Sequence, residues 1–276
     1  MDASEAPMLL TQICCDWRSI ALSTPRLWSR LYIPLVYGVD QTETFNRDWE
    51  CMMEAHTEEL QRWLRLSGAC PLSITIMPSA PHCFYQPQFD AIVQSSRRWQ
   101  QLELGSFYND LDAWKRIVSI SPDDLCMLRE LRIHSTTDLE KVENLWIKCG
   151  LFTAQGLRSI SIANLHQTDA FLTGIPSNWR NLNHLFIYSP IYPGLVNQIL
   201  GHCCNLVACL LMLWDYEEDH TTSFATFSSF CLPRLKFLSL HGDPTVCSQV
   251  FATSRRSRYR FSIAMVIFLR QSRHPA

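Results

Sequence analysis

Leu128-Arg-Glu-Leu-Arg-Ile133 places apolar side chains at its first, fourth and sixth positions. Its end alternates apolar with polar residues, which is the period of a strand with one buried face. Leu128, Leu131 and Ile133 are the expected buried set, and Glu130, Arg132 and His134 the exposed set. The same template returns at Trp99/Leu102/Leu104, Leu157/Ile160/Ile162, Leu182/Leu185/Ile187, Leu206/Cys209/Leu211 and Leu235/Leu238/Leu240. First positions are separated by 29 (99 to 128), 29 (128 to 157), 25 (157 to 182), 24 (182 to 206) and 29 (206 to 235) residues. One such match means little, because leucine is common, but six in register are hard to obtain by chance.

These spacings fall in the range of a leucine-rich repeat, whose unit supplies one short strand and a return segment. The expected fold is therefore α/β: a leucine-rich-repeat solenoid with short parallel strands, preceded by an N-terminal helical segment. Such an array offers an extended concave surface for a partner and no built-in catalytic cleft. A generic α/β layer is the competing reading. The fixed register and the absence of a glycine-rich phosphate loop weigh against it.

The returns read mostly as helices. Asp110 to Ser119 sets Leu111, Trp114 and Val118 on one face. Thr137 to Lys148 opens with the capping box Thr137-x-x-Glu140 and carries Leu139, Val142 and Trp146. Pro193 occupies a first-turn position ahead of Leu195, Ile199 and Leu200. Between Ala163 and Asn181, Gly174 and Pro176 break any long helix, so a loop or short 3₁₀ turn is expected. Glu58 to Gly68 reads as a helix burying Leu60, Trp63 and Leu64, with Gly68 just past its end. Pro71 follows, and Leu72, Ile74 and Ile76 alternate as a first strand of the array.

Composition bounds the function. The chain is 47% apolar and 18% charged, enough to build a continuous core. A net charge of −2 gives no electrostatic reason to expect nucleic acid or an anionic membrane as partner. Ile263 to Leu269, an apolar run of seven residues, suits a strand, and the longest run, Leu206 to Trp214 at nine, falls far short of the roughly 20 residues that cross a bilayer. Met-Asp-Ala-Ser-Glu lacks the basic and apolar regions of a secretory signal, so an intracellular location, cytoplasmic or nuclear, is expected.

Twelve cysteines would then be reduced thiols, and no Cys-x-x-Cys pair points to zinc or redox chemistry. Cys14-Cys15 and Cys203-Cys204 are adjacent, which suits neither one tetrahedral metal nor an easy disulfide. Cys203, just ahead of Leu206, is expected to pack at a turn. Asp215-Tyr-Glu-Glu-Asp-His220 gathers carboxylates and a histidine without the ordered spacing and glycine of a calcium loop, and reads as a solvated loop. With no nucleophile elbow or phosphate cradle, the chain reads as a non-enzyme that uses no cofactor or metal.

Residues 6–23 form the second signal. Leu10, Ile13, Cys14, Trp17, Ile20 and Ala21 share one face of an expected amphipathic helix that ends at Thr24-Pro25. Leu27, Trp28 and Leu31 continue the apolar surface. A helix this short and apolar must pack on something.

Ile13-Cys-Cys-Asp-Trp-Arg-Ser-Ile-Ala21, followed by Thr24-Pro-Arg-Leu-Trp-Ser-Arg-Leu31, resembles the second half of an F-box, in the form seen in the large F-box-like families of mushroom-forming fungi. Trp63-Leu-x-x-Ser67-Gly-x-Cys70-Pro-Leu72 resembles the helix and first strand that lead into the repeats of those proteins. The resemblance implies a substrate-recognition subunit of a cullin-RING ubiquitin ligase. Its box would bind a Skp-type adaptor through Leu10, Ile13, Cys14, Trp17 and Ile20, and its repeats would hold a protein target. The chemistry of such a ligase belongs to other subunits.

The family's box opens with a Leu-Pro-x-Glu-Leu-type helix that this sequence does not contain. The remaining box is expected to be partial, through an upstream truncation or a loss of adaptor binding. The alternative is a leucine-rich-repeat interaction module with no ubiquitin link. The implied organisation is a partial box over 1–36, a helical linker and cap over 37–68, repeats over 69–245 and an atypical C-terminal cap or tail over 246–276. Within the last, Ser254 to Arg260 and the apolar run after it read either as a basic loop with a capping strand or as a gene-model error.

Residues flanking the buried strand positions belong on the opposite face. They are Gln101 and Glu103, Glu130 and Arg132, Ser159 and Ser161, His184 and Phe186, Ala208 and Leu210, then Phe237 and Ser239. The series turns from charged to apolar, with Tyr188 and Met212 extending the later strands. Glu130, Arg132, His184, Phe186, Tyr188, Leu210, Met212 and Phe237 are the expected partner-binding residues.

Overall fold

The computed structural model describes residues 7–35, 43–78, 86–105, 111–134, 149–163, 175–191, 193–213, 231–242, 247 and 262–263. The chain divides into two compact units, Met1–Leu157 and Arg158–Ala276. Each is α/β, with parallel strands and, among the described residues, helical or 3₁₀ returns.

In the first unit, the expected N-terminal helix is two: α1 (Leu10–Ile13) and α2 (Cys15–Leu22). Cys14 between them is extended, at φ −158° and ψ 173°. The Arg18 guanidinium crosses the break and donates to the Thr11 carbonyl at 2.7 Å, satisfying an acceptor that a continuous helix would have paired internally. A 3₁₀ turn (Pro25–Trp28) leads into β1 (Arg30–Leu35). Then follow α3 (Glu43–Leu66), β2 (Leu72–Pro78), α4 (Gln86–Gln94), β3 (Trp99–Leu104), α5 (Leu111–Val118), a 3₁₀ turn (Pro122–Leu125), β4 (Glu130–His134) and α6 (Gly150–Thr153).

Strands β1 to β4 pair in sequence order, all parallel. Their register aligns Leu31, Ile74, Leu102 and Leu131 in one row and Ile33, Ile76, Leu104 and Ile133 in the next. All eight side chains are buried. Strand β1 was not legible in the sequence, because Pro34 interrupts its pattern and proline cannot donate to a ladder. At the end of the β1–β4 order that residue is tolerated. The apolar surface expected at Leu27, Trp28 and Leu31 also divides: Leu27 is exposed, whereas Trp28 and Leu31 are core. Trp28 donates its indole N–H to the Ala21 carbonyl at 2.8 Å and meets Trp63 edge-on, with ring centroids 5.0 Å apart.

Helix α3 begins fifteen residues before the expected Glu58 and buries Met53, Leu60 and Trp63, while Leu64 is half-buried. It ends where expected, at Gly68 with φ +55°, a conformation that glycine adopts without strain. Arg98, two strands further on, donates to the carbonyls of Leu64 and Cys70 and to the Ser67 hydroxyl. It thereby satisfies acceptors that the helix end leaves open. The return expected over 110–119 is helical at Leu111–Val118, with Val118 buried. The helix expected over 137–148 lies outside the described residues.

The second unit contains β5 (Ser159–Ala163), a 3₁₀ turn (Ser177–Asn181), β6 (His184–Ile191), α7 (Pro193–His202), β7 (Ala208–Leu213), β8 (Phe237–His241) and β9 (Ser262–Ile263). These strands too are parallel and in order. Ile160, Leu185, Cys209 and Leu238 align across it, as do Ile162, Ile187, Leu211 and Leu240. The 3₁₀ return before β6 and the helix from Pro193 match the sequence reading. Leu195, Ile199 and Leu200 are buried as expected.

One regularity was not read from the sequence. The amide N–H of each template's first residue donates to the carbonyl three residues back: Trp99 to Ser96, Leu128 to Leu125, Leu157 to Ala154, Leu182 to Trp179, Leu206 to Cys203 and Leu235 to Leu232. The six accepting residues are all buried, so each unit carries a tight turn whose corner points into the core. Cys203 holds this corner position, which accounts for its burial without a metal.

Leu131 and Leu185 are fully buried at strand centres. Leu→Ala at either should destabilise the fold by about 2–5 kcal/mol, measured by chemical denaturation. Ser159→Ala, at a half-buried position on the other strand face, should stay within about 0.5 kcal/mol. Equal losses at all three positions would contradict the two-faced reading of the strands.

Candidate functional site

Two surfaces gather the candidate residues. The first is the strand face opposite the core. In the first unit this face is polar and cross-linked. The Ser73 hydroxyl donates to Gln101 Oε1 at 3.0 Å, and the Thr75 hydroxyl to Glu103 Oε2 at 3.5 Å. Glu103 also lies 3.2 Å from His134 Nε2, and Arg132 pairs with Glu130 at 2.6 Å on the same strand. Glu130 and Arg132 thus stand on the expected face, already partnered with each other.

In the second unit the same face is apolar. Phe186, Leu210 and Met212 are half-buried, and His184, Tyr188 and Phe237 are exposed. His184 stacks on Phe186, with ring centroids 6.3 Å apart and planes inclined by 18°. Tyr188 reaches this face through an irregularity. Ile187 pairs with Leu211 but Pro190 pairs with Met212, so Tyr188 and Ser189 are inserted between consecutive partners. Because two residues are inserted, the alternation survives: Ser189 stays buried and Tyr188 adds an outward aromatic side chain. Ser239 departs from expectation. It is buried, with its hydroxyl 2.9 Å from His241 Nε2, so it contributes nothing to the open face.

The second surface lies on α1 and α2. Ile13 is 57% exposed, Trp17 48% and Ile20 54%. Cys14 is exposed and Leu10 half-buried. Of the expected adaptor-facing residues, three large apolar side chains are open to solvent on two short helices. Burying one such side chain is worth about 1.5–3 kcal/mol, so this arrangement forgoes stability that a covering surface would restore.

Burial pushes the Cys149 and Cys203 thiols up to about 12, and the Cys209 thiol is raised as well. All three are protonated at neutral pH, the unreactive form. Asp215 to His220 lies outside the described residues. Among the described residues no group of three or more His, Cys, Asp or Glu is placed to hold a metal ion, and no helix is long and apolar enough to cross a membrane. Comparison with family models, curated proteins and solved structures gives no significant match.

Two outcomes test this geometry. Phe186→Ser combined with Leu210→Ser should leave the denaturation midpoint close to that of the parent chain, whereas Leu185→Ala lowers it. A midpoint loss matching Leu185→Ala would place the two side chains in the core.

The buried thiols set a second test. Their folded pKa values lie above the ordinary 9.0, so the folded chain holds protons that the unfolded chain releases. Stability from this source is intact below pH 9 and declines as the pH rises from there toward about 12. An alkylating reagent at neutral pH should modify Cys14, Cys15, Cys126 and Cys204, which are exposed. Cys149, Cys203 and Cys209 should react only after denaturation. Rapid native-state labelling of these three, read by peptide mass spectrometry, would contradict their burial.

Proposed function

We propose that this chain is an F-box-like protein with a leucine-rich-repeat array, acting without catalysis as the substrate-recognition subunit of a cullin-RING ubiquitin ligase. The observation that carries the reading is the exposed Ile13, Trp17 and Ile20 face on helices that immediately precede a parallel strand array. Two unlike surfaces, one helical and apolar and one on the open strands, are what a bridging subunit needs. The recurrent corner turn and the two aligned apolar rows in each unit support a repeat array. In this reading Leu10, Ile13, Cys14, Trp17 and Ile20 contact a Skp-type adaptor. The target protein lies against the open strand faces, where Glu130, Arg132, His184, Phe186, Tyr188, Leu210, Met212 and Phe237 project.

The test is co-elution of the chain with a purified Skp-type adaptor on size exclusion. Because the sequence lacks the box's opening Leu-Pro-x-Glu-Leu-type helix, only weak binding is expected, and Ile13→Ala, Trp17→Ala and Ile20→Ala together should abolish it. Because all three side chains are exposed, the variant should keep the circular dichroism of the parent. No binding by the parent chain, or binding unchanged in the triple variant, would remove the ligase reading. A repeat-based interaction module would then remain.

A further inference from the structure

The apolar surface assigned to the adaptor is carried by two helices, not one. Ile13 closes α1, Trp17 and Ile20 lie on α2, and the extended Cys14 separates them. A continuous helix would fix these side chains relative to one another through its own hydrogen bonds. Across the break, the two soft backbone dihedrals of Cys14 decide where Ile13 stands against Trp17 and Ile20.

Packing does little to fix that angle, because no residue of α1 is buried and α2 buries Ala21 alone. One residue spans the break. Arg18 donates its main-chain N–H to the Cys14 carbonyl at 3.0 Å, in the first turn of α2, and its Nε to the Thr11 carbonyl at 2.7 Å, in α1. Among the described residues no other hydrogen bond joins the two helices. Thr11 is in turn tied to the start of α1, where its N–H and its hydroxyl both donate to the Met8 carbonyl, at 3.0 and 2.7 Å. The last carbonyls of α1 have no partner inside the helix, and a charged donor makes the stronger kind of hydrogen bond to one of them.

We propose that Arg18 is a positioning residue: its guanidinium straps α1 to α2 and so sets where Ile13 stands relative to Trp17 and Ile20 before a partner arrives. The proposal rests on the adaptor reading of this surface and adds what holds the surface in shape. Arg18 acts through Ile13 and does not itself touch the adaptor. A surface fixed in advance spares the complex the cost of ordering α1 on binding, so the strap raises affinity.

Hydrogen exchange on the full chain reads the strap without a partner. The Thr11 and Gln12 amides donate within the turn of α1, and those of Ser23 and Thr24 donate at the end of α2. Arg18→Ala should speed exchange at Thr11 and Gln12 by at least about fivefold and leave Ser23 and Thr24 unchanged. Arg18→Lys, which keeps a charged donor on a long side chain, should restore most of the protection. Affinity for a purified, fluorescently labelled Skp-type adaptor, read by anisotropy, should fall about fivefold in Arg18→Ala and recover in Arg18→Lys. That loss should vanish in an Ile13→Ala background, where the strap has no side chain left to place.

Exchange unaltered by Arg18→Ala, or Thr11 and Gln12 amides unprotected in the parent chain, would overturn the strap. Faster exchange with unchanged adaptor affinity would overturn the positioning role. An affinity loss that persists in the Ile13→Ala background would overturn it too, by showing that Arg18 contacts the adaptor directly. Absence of adaptor binding by the parent chain is a separate failure. It would remove the ligase reading and the positioning role with it, and the exchange result alone would then decide whether the strap exists.

Discussion

Two rows of aliphatic side chains crossing each parallel ladder hold the rest of the structure in place. Leu31–Ile74–Leu102–Leu131 and Ile33–Ile76–Leu104–Ile133 run through the first unit, and Ile160–Leu185–Cys209–Leu238 and Ile162–Ile187–Leu211–Leu240 through the second. A strand alternates sides with period two, so slipping any strand by one residue would turn its whole apolar set to solvent. At about 25 cal/mol per Å² of apolar surface, that penalty far exceeds any single hydrogen bond. Register is thus set by burial, and the ladder hydrogen bonds follow.

Parallel pairing imposes a second requirement, because each strand must be followed by a return that brings the chain back to the same end. The return segments are unalike: helices before some strands, a 3₁₀ turn before β6. What they share is the closing corner, a buried residue whose carbonyl accepts from the first residue of the next template. Ser, Leu, Ala, Trp and Cys all serve there, because the requirement is a backbone bond and a filled space, not a particular chemistry. Where the fit is tightest the residue is constrained further. A Cβ on Gly150 would overlap the Ile120 carbonyl, so the start of α6 can approach the preceding return only through glycine.

With the inward positions occupied by the core, the outward ones are free to differ, and they do. In the first unit they form a partnered polar set around Glu103 and Arg132. In the second they carry an aromatic and aliphatic patch. The N-terminal helices add a third chemistry, with Ile13, Trp17 and Ile20 open to solvent. Large apolar side chains on short helices are a cost to the isolated chain. That cost is offset when a partner removes them from water.

Much of this was legible in the residues alone. Period-two alternation at Leu131/Ile133 and Leu185/Ile187 determined which side chains enter the core, because burial on one strand face needs only local sequence. Gly68 and Pro193 marked helix ends through backbone preferences that act on one residue at a time. Other features belonged to the tertiary structure. Pro34 hid β1, which could be identified only by its pairing with β2. The break at Cys14 is bridged by Arg18 and Thr11, an arrangement no helical periodicity encodes. Ser239 sits at an outward position yet is buried beside His241, and Tyr188 reaches the open face through an insertion visible only against β7. The difference is one of range: alternation, capping and glycine preference are properties of a few adjacent residues, whereas strand partners, bulges and shielding depend on residues brought together from distant parts of the chain.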